Sequence, residues 1–139
     1  NHSRYIQPEQ WSENPNIAPQ RRMFRTPDHY GYFLCNIEPV KHFHIVTNGK
    51  LTGSMLVQHF AGYVEEDEEV ETPVFFEWDL KLCYDIPLYK HYTLEINAGV
   101  KNILDHFQRD IDKGMDRDAG FVYGPAAPRT FFAGVNLKI

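Results

Sequence analysis

Three segments of this chain alternate apolar and polar side chains at every second residue. That period suits a strand with two unlike faces and does not suit a helix. Phe76, Trp78, Leu80, Leu82, Tyr84 and Ile86 share one face, against Glu77, Asp79, Lys81, Cys83 and Asp85. From Tyr92, the set Tyr92, Leu94, Ile96, Ala98 and Val100 opposes Thr93, Glu95, Asn97, Gly99 and Lys101. Near the end, Phe131, Ala133, Val135, Leu137 and Ile139 alternate with Phe132, Gly134, Asn136 and Lys138. No run keeps the 3.6-residue period of an amphipathic helix, so the chain reads as all-β.

Two earlier segments are noisier. Phe43, Ile45, Thr47, Gly49, Leu51, Gly53, Met55 and Val57 give a mixed apolar face that predicts one long strand. Tyr30 to Ile37 has strand composition, with Phe33, Cys35 and Ile37 opposite Tyr32, Leu34 and Asn36, and neither face is favoured for burial. Residues 1–27, punctuated by Pro8, Pro15, Pro19 and Pro27, predict a loop or irregular lead-in. Residues 28–139 then make an antiparallel up-and-down meander of about five strands. Its connectors alternate: short turns around Glu38 to Lys41 and Pro87 to His91, long loops near 61–72 and 104–128. Short turns at one end and long loops at the other are the habit of outer-membrane barrels. The stretch from Arg129 to Ile139, at about 3.3 Å per residue and tilted roughly 40°, rises about 28 Å, close to the apolar band of such a barrel. Phe43, Tyr84 and Tyr92 fall beside the short turns, where an interfacial aromatic girdle belongs.

Composition narrows the classes. A net charge of -5 argues against a nucleic-acid binder. Aromatic residues make up 14% of the chain, too many for a disordered one. Mean hydropathy is -0.48, and no apolar run reaches the length of a membrane helix. Alternating strands average to the same hydrophilic value, so a membrane β-barrel stays open. Cys35 and Cys83 fall on the first and third strands. Two inter-strand steps of about 4.8 Å separate their backbones by roughly 10 Å, too far for a disulfide, so two free thiols are expected.

The run from Leu94 to Asp105, with Gly99-Val100-Lys101-Asn102-Ile103-Leu104, and the later Pro128-Arg129-Thr130-Phe131-Phe132-Ala133-Gly134-Val135 together resemble the last hairpin of TonB-dependent outer-membrane receptors. Met23-Phe24-Arg25-Thr26-Pro27 before Tyr30-Gly31-Tyr32, and Gly53-Ser54-Met55, resemble strand patterns of receptors from the Bacteroides group. The last residue, Ile139, departs from the terminal Phe common in that family. The resemblance implies a receptor for active uptake of a siderophore, vitamin B12, haem or glycan, located in the outer membrane of a Gram-negative bacterium. Its partners would be membrane lipid, the plug and remaining strands of the same receptor, and TonB through a part upstream of Asn1. Five strands fall short of the eight that close the smallest membrane barrel, so the chain reads as the C-terminal part of a larger one. The same strands also permit a different class, a free-standing soluble β-sandwich or small barrel that binds a ligand or partner.

Chemistry-bearing clusters are few. Residues 65–71 place six acids in seven positions, read here as a solvated loop, with a cation site as the sharper alternative. Asp110, Asp112, Asp116 and Asp118 surround Gly114 at alternate positions and are the candidate ligands of a cation. Arg109, Lys113 and Arg117 interleave with them and make local ion pairing the simpler account. His42 and His44 share a strand face without a third ligand in register. Phosphate-cradling, dinucleotide-binding and hydrolase motifs are missing, so no enzyme and no cofactor is expected. Glu77, Asp79, Lys81 and Asp85 read as a water-facing barrel wall. Charge at Leu80, Ile96 or Val135 should then be costly, and the same change at Lys81 or Asn97 tolerated.

Overall fold

A computed structural model describes residues 3–139. Among them there is no helix. The strands in chain order are β1 (Arg4–Glu9), β2 (Gln20–Arg22), β3 (Tyr30–Val40), β4 (Phe43–Thr52), β5 (Leu56–His59), β6 (Glu68–Glu71), β7 (Phe75–Pro87), β8 (Thr93–Lys101) and β9 (Thr130–Lys138). The chain divides into two compact units. One comprises Gly31–Leu51, Phe76–His106 and Ala127–Ile139, the other Asn1–Tyr30, Thr52–Phe75 and Phe107–Ala126.

The first unit is built on a five-stranded antiparallel sheet in the order β3-β4-β7-β8-β9, so each long strand pairs with the next long strand along the chain. The expected meander is present. Pairing of β7 with β8 runs from Leu80↔Val100 to Pro87↔Thr93, and of β8 with β9 from Thr93↔Lys138 to Lys101↔Thr130. Because side chains alternate, this register stacks apolar positions on apolar and polar on polar across three strands. Two tight turns join β3 to β4 and β7 to β8; the second closes with Leu88 N donating to Tyr92 O (3.0 Å) and Tyr92 N to Tyr89 O (2.9 Å). After β8, Asn102 takes a left-handed conformation (φ 50) that an Asn tolerates. Its buried amide donates to His106 O (3.2 Å) and Ala127 O (3.0 Å) and accepts from His106 N (3.1 Å), which closes the base of the long loop.

The second unit carries two small hairpins, β1 with β2 and β5 with β6. Two expectations are corrected here. Residues 1–27 are not wholly irregular, since β1 and β2 pair, with a register irregularity between Arg4 and Glu9. Pro8 is accommodated because β1 is an edge strand. The long strand expected from Phe43 through Val57 stops at Thr52 and resumes as β5 at Leu56. Gly53 marks the break: its N–H donates to His29 O (2.7 Å), and a Cβ there would lie 2.6 Å from that same oxygen. The strand therefore ends where another backbone crosses close to it. β6 falls inside the loop expected over 61–72, and Val57↔Val70 pairing sets its register. Met55, Val57 and Phe121 form a small buried core, with Val70 and Tyr123 packed against it.

Candidate functional site

Many apolar side chains of the sheet are open to solvent. The rows Leu80/Val100/Phe131, Leu82/Ala98/Ala133, Tyr84/Ile96/Val135 and Ile86/Leu94/Leu137 lie side by side. Phe131 is 73% exposed and Val135 65%; Leu82, Tyr84, Ile96 and Leu137 are exposed as well. This is a continuous apolar surface on one face of three neighbouring strands. Trp78 belongs to the same face of β7, and its indole N–H donates to Thr47 Oγ1 (2.8 Å) on β4. Edge strand β3 is exposed on both faces, with Tyr32, Phe33 and Leu34 all open.

The opposite face reverses the usual arrangement of charge. Glu95 is 9% exposed, and Cys83 and Asn97 are buried beside it. Glu95 accepts from Asn97 Nδ2 (3.1 Å) and Asn136 Nδ2 (2.9 Å) and pairs with Lys138 (2.8 Å) and Lys81 (3.5 Å). Lys138 also reaches Asp85 (2.9 Å), which lies 3.4 Å from His44 Nε2. Lys50 and Glu77 pair at 3.6 Å, while Asp79 Oδ1 accepts from Asn102 N (2.8 Å). A buried carboxylate is tolerable when paired and hydrogen-bonded in this way. Phe132, on this same face, lies over Gly99, where a Cβ would collide with its ring (2.5 Å). Asn48, Val46, Lys81, Lys101 and Phe132 border a cavity of about 190 Å³ there.

The second unit has a small apolar core, and its loops answer the remaining sequence candidates. His59 stacks on Phe121 (ring centroids 3.8 Å apart) and its Nε2 meets Asp112 Oδ2 at 2.9 Å. That contact, with a further hydrogen bond from Asp118 N, holds the Asp112 carboxyl below its usual range. Asp118 is buried; one carboxylate oxygen accepts from Gly120 N (2.7 Å) and the other has no hydrogen-bond partner among the described residues. Asp110 accepts from the Tyr123 hydroxyl (2.5 Å), and burial followed by this contact pushes the phenol's pKa up. Asp116 is exposed. Asp110, Asp112 and Asp118 therefore serve contacts within the loops, and among the described residues no group of three His, Cys, Asp or Glu converges as a metal site. His42 and His44 do not act together: His44 turns to Asp85, while His42 sits in the turn with a left-handed backbone (φ 71).

The acidic run is more engaged than a solvated loop would be. Glu69 accepts from Trp11 Nε1 (2.9 Å) and Gln20 Nε2 (2.9 Å), Glu66 from Asn14 Nδ2 (3.1 Å), and Asp67 from Ala61 N (2.7 Å) and the Ser12 hydroxyl. Ala61 N and then Ser12 lower the pKa of Asp67, and the hydrogen bond and charge of Arg22 lower that of Glu71. Apart from Ala61, these donors come from the segment that the prolines mark as irregular, so composition alone does not reveal them. Gln108 is a second unforeseen residue: buried, it donates to Phe121 O (3.0 Å) and accepts from Tyr123 N (2.9 Å) and Gly124 N (3.1 Å). Cys35 and Cys83 are free thiols, with β4 between their strands. Comparison with family models, with curated proteins and with solved structures gave no match.

Proposed function

We propose that the five-stranded sheet is a stretch of wall in a TonB-dependent outer-membrane receptor, which takes up a nutrient actively across the outer membrane of a Gram-negative bacterium. One observation carries this reading: apolar rows lie in register on one face, most of them open, while Glu95 and Asn97 are buried on the other. A sheet in water covers its apolar face, because each buried Val, Leu or Phe is worth about 1.5–3 kcal/mol. A sheet in a lipid wall does the reverse, with apolar side chains toward acyl chains and polar ones toward the lumen.

Dimensions support the same reading. From Trp78 to Pro87 the strand path is about 31 Å, or about 23 Å across a bilayer at roughly 40° tilt, close to the 25 Å band of outer-membrane barrels. A closed membrane barrel needs at least eight strands. The free edges of β3 and β9 are then the places where the rest of the receptor's wall joins. In this reading the membrane lipid and the remaining receptor, including its plug, are the partners, and TonB acts through the plug. The sheet's role is passive: it supplies wall and carries loops.

Detergent dependence tests the proposal. Produced within the full-length protein, the sheet should fractionate with the outer membrane, resist extraction by salt and yield to detergent. Recovery as a soluble monomer without detergent would instead favour a soluble binding module.

A further inference from the structure

The two short turns of the sheet repeat a pattern. Val40-Lys41-His42-Phe43 joins β3 to β4, and Tyr89-Lys90-His91-Tyr92 joins β7 to β8. Each places Lys-His between an apolar or aromatic residue and an aromatic one, and each contains a left-handed residue, His42 (φ 71) and Lys90 (φ 50). β4 and β7 are neighbours, and Asp85 N donates to His42 O (2.8 Å), so the first turn abuts the end of β7 that leads into the second. Both Lys-His pairs therefore lie at one end of the sheet. Lys41, Lys90 and His91 are exposed, and so are Leu88, Tyr89 and Tyr92, continuous with the apolar rows.

The carboxylates facing this end are already occupied. Glu38 Oε1 accepts from His42 N (3.2 Å), Asp85 is held by Lys138 and His44, and Glu95 by Lys138, Lys81 and two asparagines. Among the described residues neither Lys41 nor Lys90 has a carboxylate partner; Lys90 Nζ rests 5.2 Å from the Tyr89 ring. Ammonium groups on flexible stems beside exposed aromatics, at the edge of an apolar surface, match the chemistry of a headgroup layer. Phosphate takes the charge there, and the amphipathic rings settle at the acyl boundary.

We propose that this turn end is a headgroup-binding rim for anionic phospholipid. Lys41 and Lys90 supply the charge, His42 and His91 supply ring N–H donors to phosphate oxygens, and Leu88, Tyr89 and Tyr92 enter the interface. The proposal rests on the membrane-wall reading and adds to it which lipid chemistry this rim selects.

The test is vesicle flotation of the full chain at low salt, with phosphatidylcholine alone and with phosphatidylcholine mixed with phosphatidylglycerol. Binding to both, tighter to the mixture, is expected. Lys41→Gln with Lys90→Gln should reduce the preference about twentyfold to thirtyfold, at roughly fivefold per lysine. Lys101→Gln, at the opposite end of β8, should leave it intact. Raising the salt should erase the preference of the unaltered chain, a check independent of how the double variant folds. Equal binding to the two vesicles, or a preference untouched by the double substitution, would overturn the rim alone. Displacement by inorganic phosphate would also overturn it, because the site would then read free anion and not lipid. Binding to neither vesicle would sink the membrane-wall reading itself.

Discussion

The two units differ in whether they enclose an apolar core. In the loop-bearing unit, Val57 is fully buried and Met55 and Phe121 nearly so, while the acidic run at 65–71 meets neutral donors and Arg22 at the surface. In the sheet, Val135, Phe131 and Leu137 are open and Glu95 and Asn97 are enclosed. Composition cannot separate these cases, since both units mix aromatic and charged residues. What differs is which side chains each unit encloses. The loop-bearing unit closes over a small apolar core, and the sheet leaves the apolar rows of one face open.

The largest expected effect falls on the loop-bearing unit. Phe121→Ala removes the ring that supports His59 and fills the small core, and should cost about 3–5 kcal/mol. Protection of amides in β5 and β6 from hydrogen exchange should fall, with β8 and β9 unchanged. Loss of protection throughout both units would break the distinction. Next, Ile96→Arg should cost about 2–4 kcal/mol for folding into a bilayer, where a charge at mid-depth is penalised, measured by urea titration in vesicles. Asn97 sharpens the comparison because the enclosed network alters an expectation. It is buried and donates to Glu95 (3.1 Å), so Asn97→Arg should also be destabilising, whereas alternation alone places it on a tolerant face.

Acid should act on the loop-bearing unit. Asp67, Glu71 and Asp112 all have folded pKa values below their ordinary ones, so the unfolded chain binds more protons as pH falls. Their contribution is complete above the ordinary carboxylate range near 4 and is lost as pH drops through the lowered folded values. Limited proteolysis of residues 104–128 should accelerate over that window, and Asp112→Asn should blunt the change. The smallest effect is expected at Lys81→Gln, whose partner Glu95 keeps Lys138 and two asparagines; the loss should stay within about 1 kcal/mol, read from the same urea titration as Ile96→Arg.

How much the sequence revealed follows from which forces are local. Alternation over Phe76–Ile86, Tyr92–Lys101 and Phe131–Ile139 located β7, β8 and β9 within one or two residues, because period two is imposed by each strand on itself. The turn lengths gave the strand order. The break at Gly53 was hidden because it depends on the backbone of His29, far away in the chain. β1 and β2 were hidden by prolines and by their brevity. Asn102 and Gln108 carry no periodic signal; each is a single buried amide whose value lies in carbonyls and N–H groups up to 25 residues distant. For the aspartates, spacing suggested convergence, yet their partners are His59, Tyr123 and loop N–H groups, which the spacing does not contain.

The central claim is that the exposed apolar rows face lipid. It is tested most directly by a single tryptophan at Ile96, in protein whose Trp11 and Trp78 are replaced by Phe, reconstituted into vesicles whose acyl chains carry bromine near the bilayer centre. The account predicts strong quenching of Ile96→Trp and little quenching of Lys81→Trp, which lies on the opposite face. Equal quenching at the two positions, or an unquenched tryptophan at position 96, would contradict it.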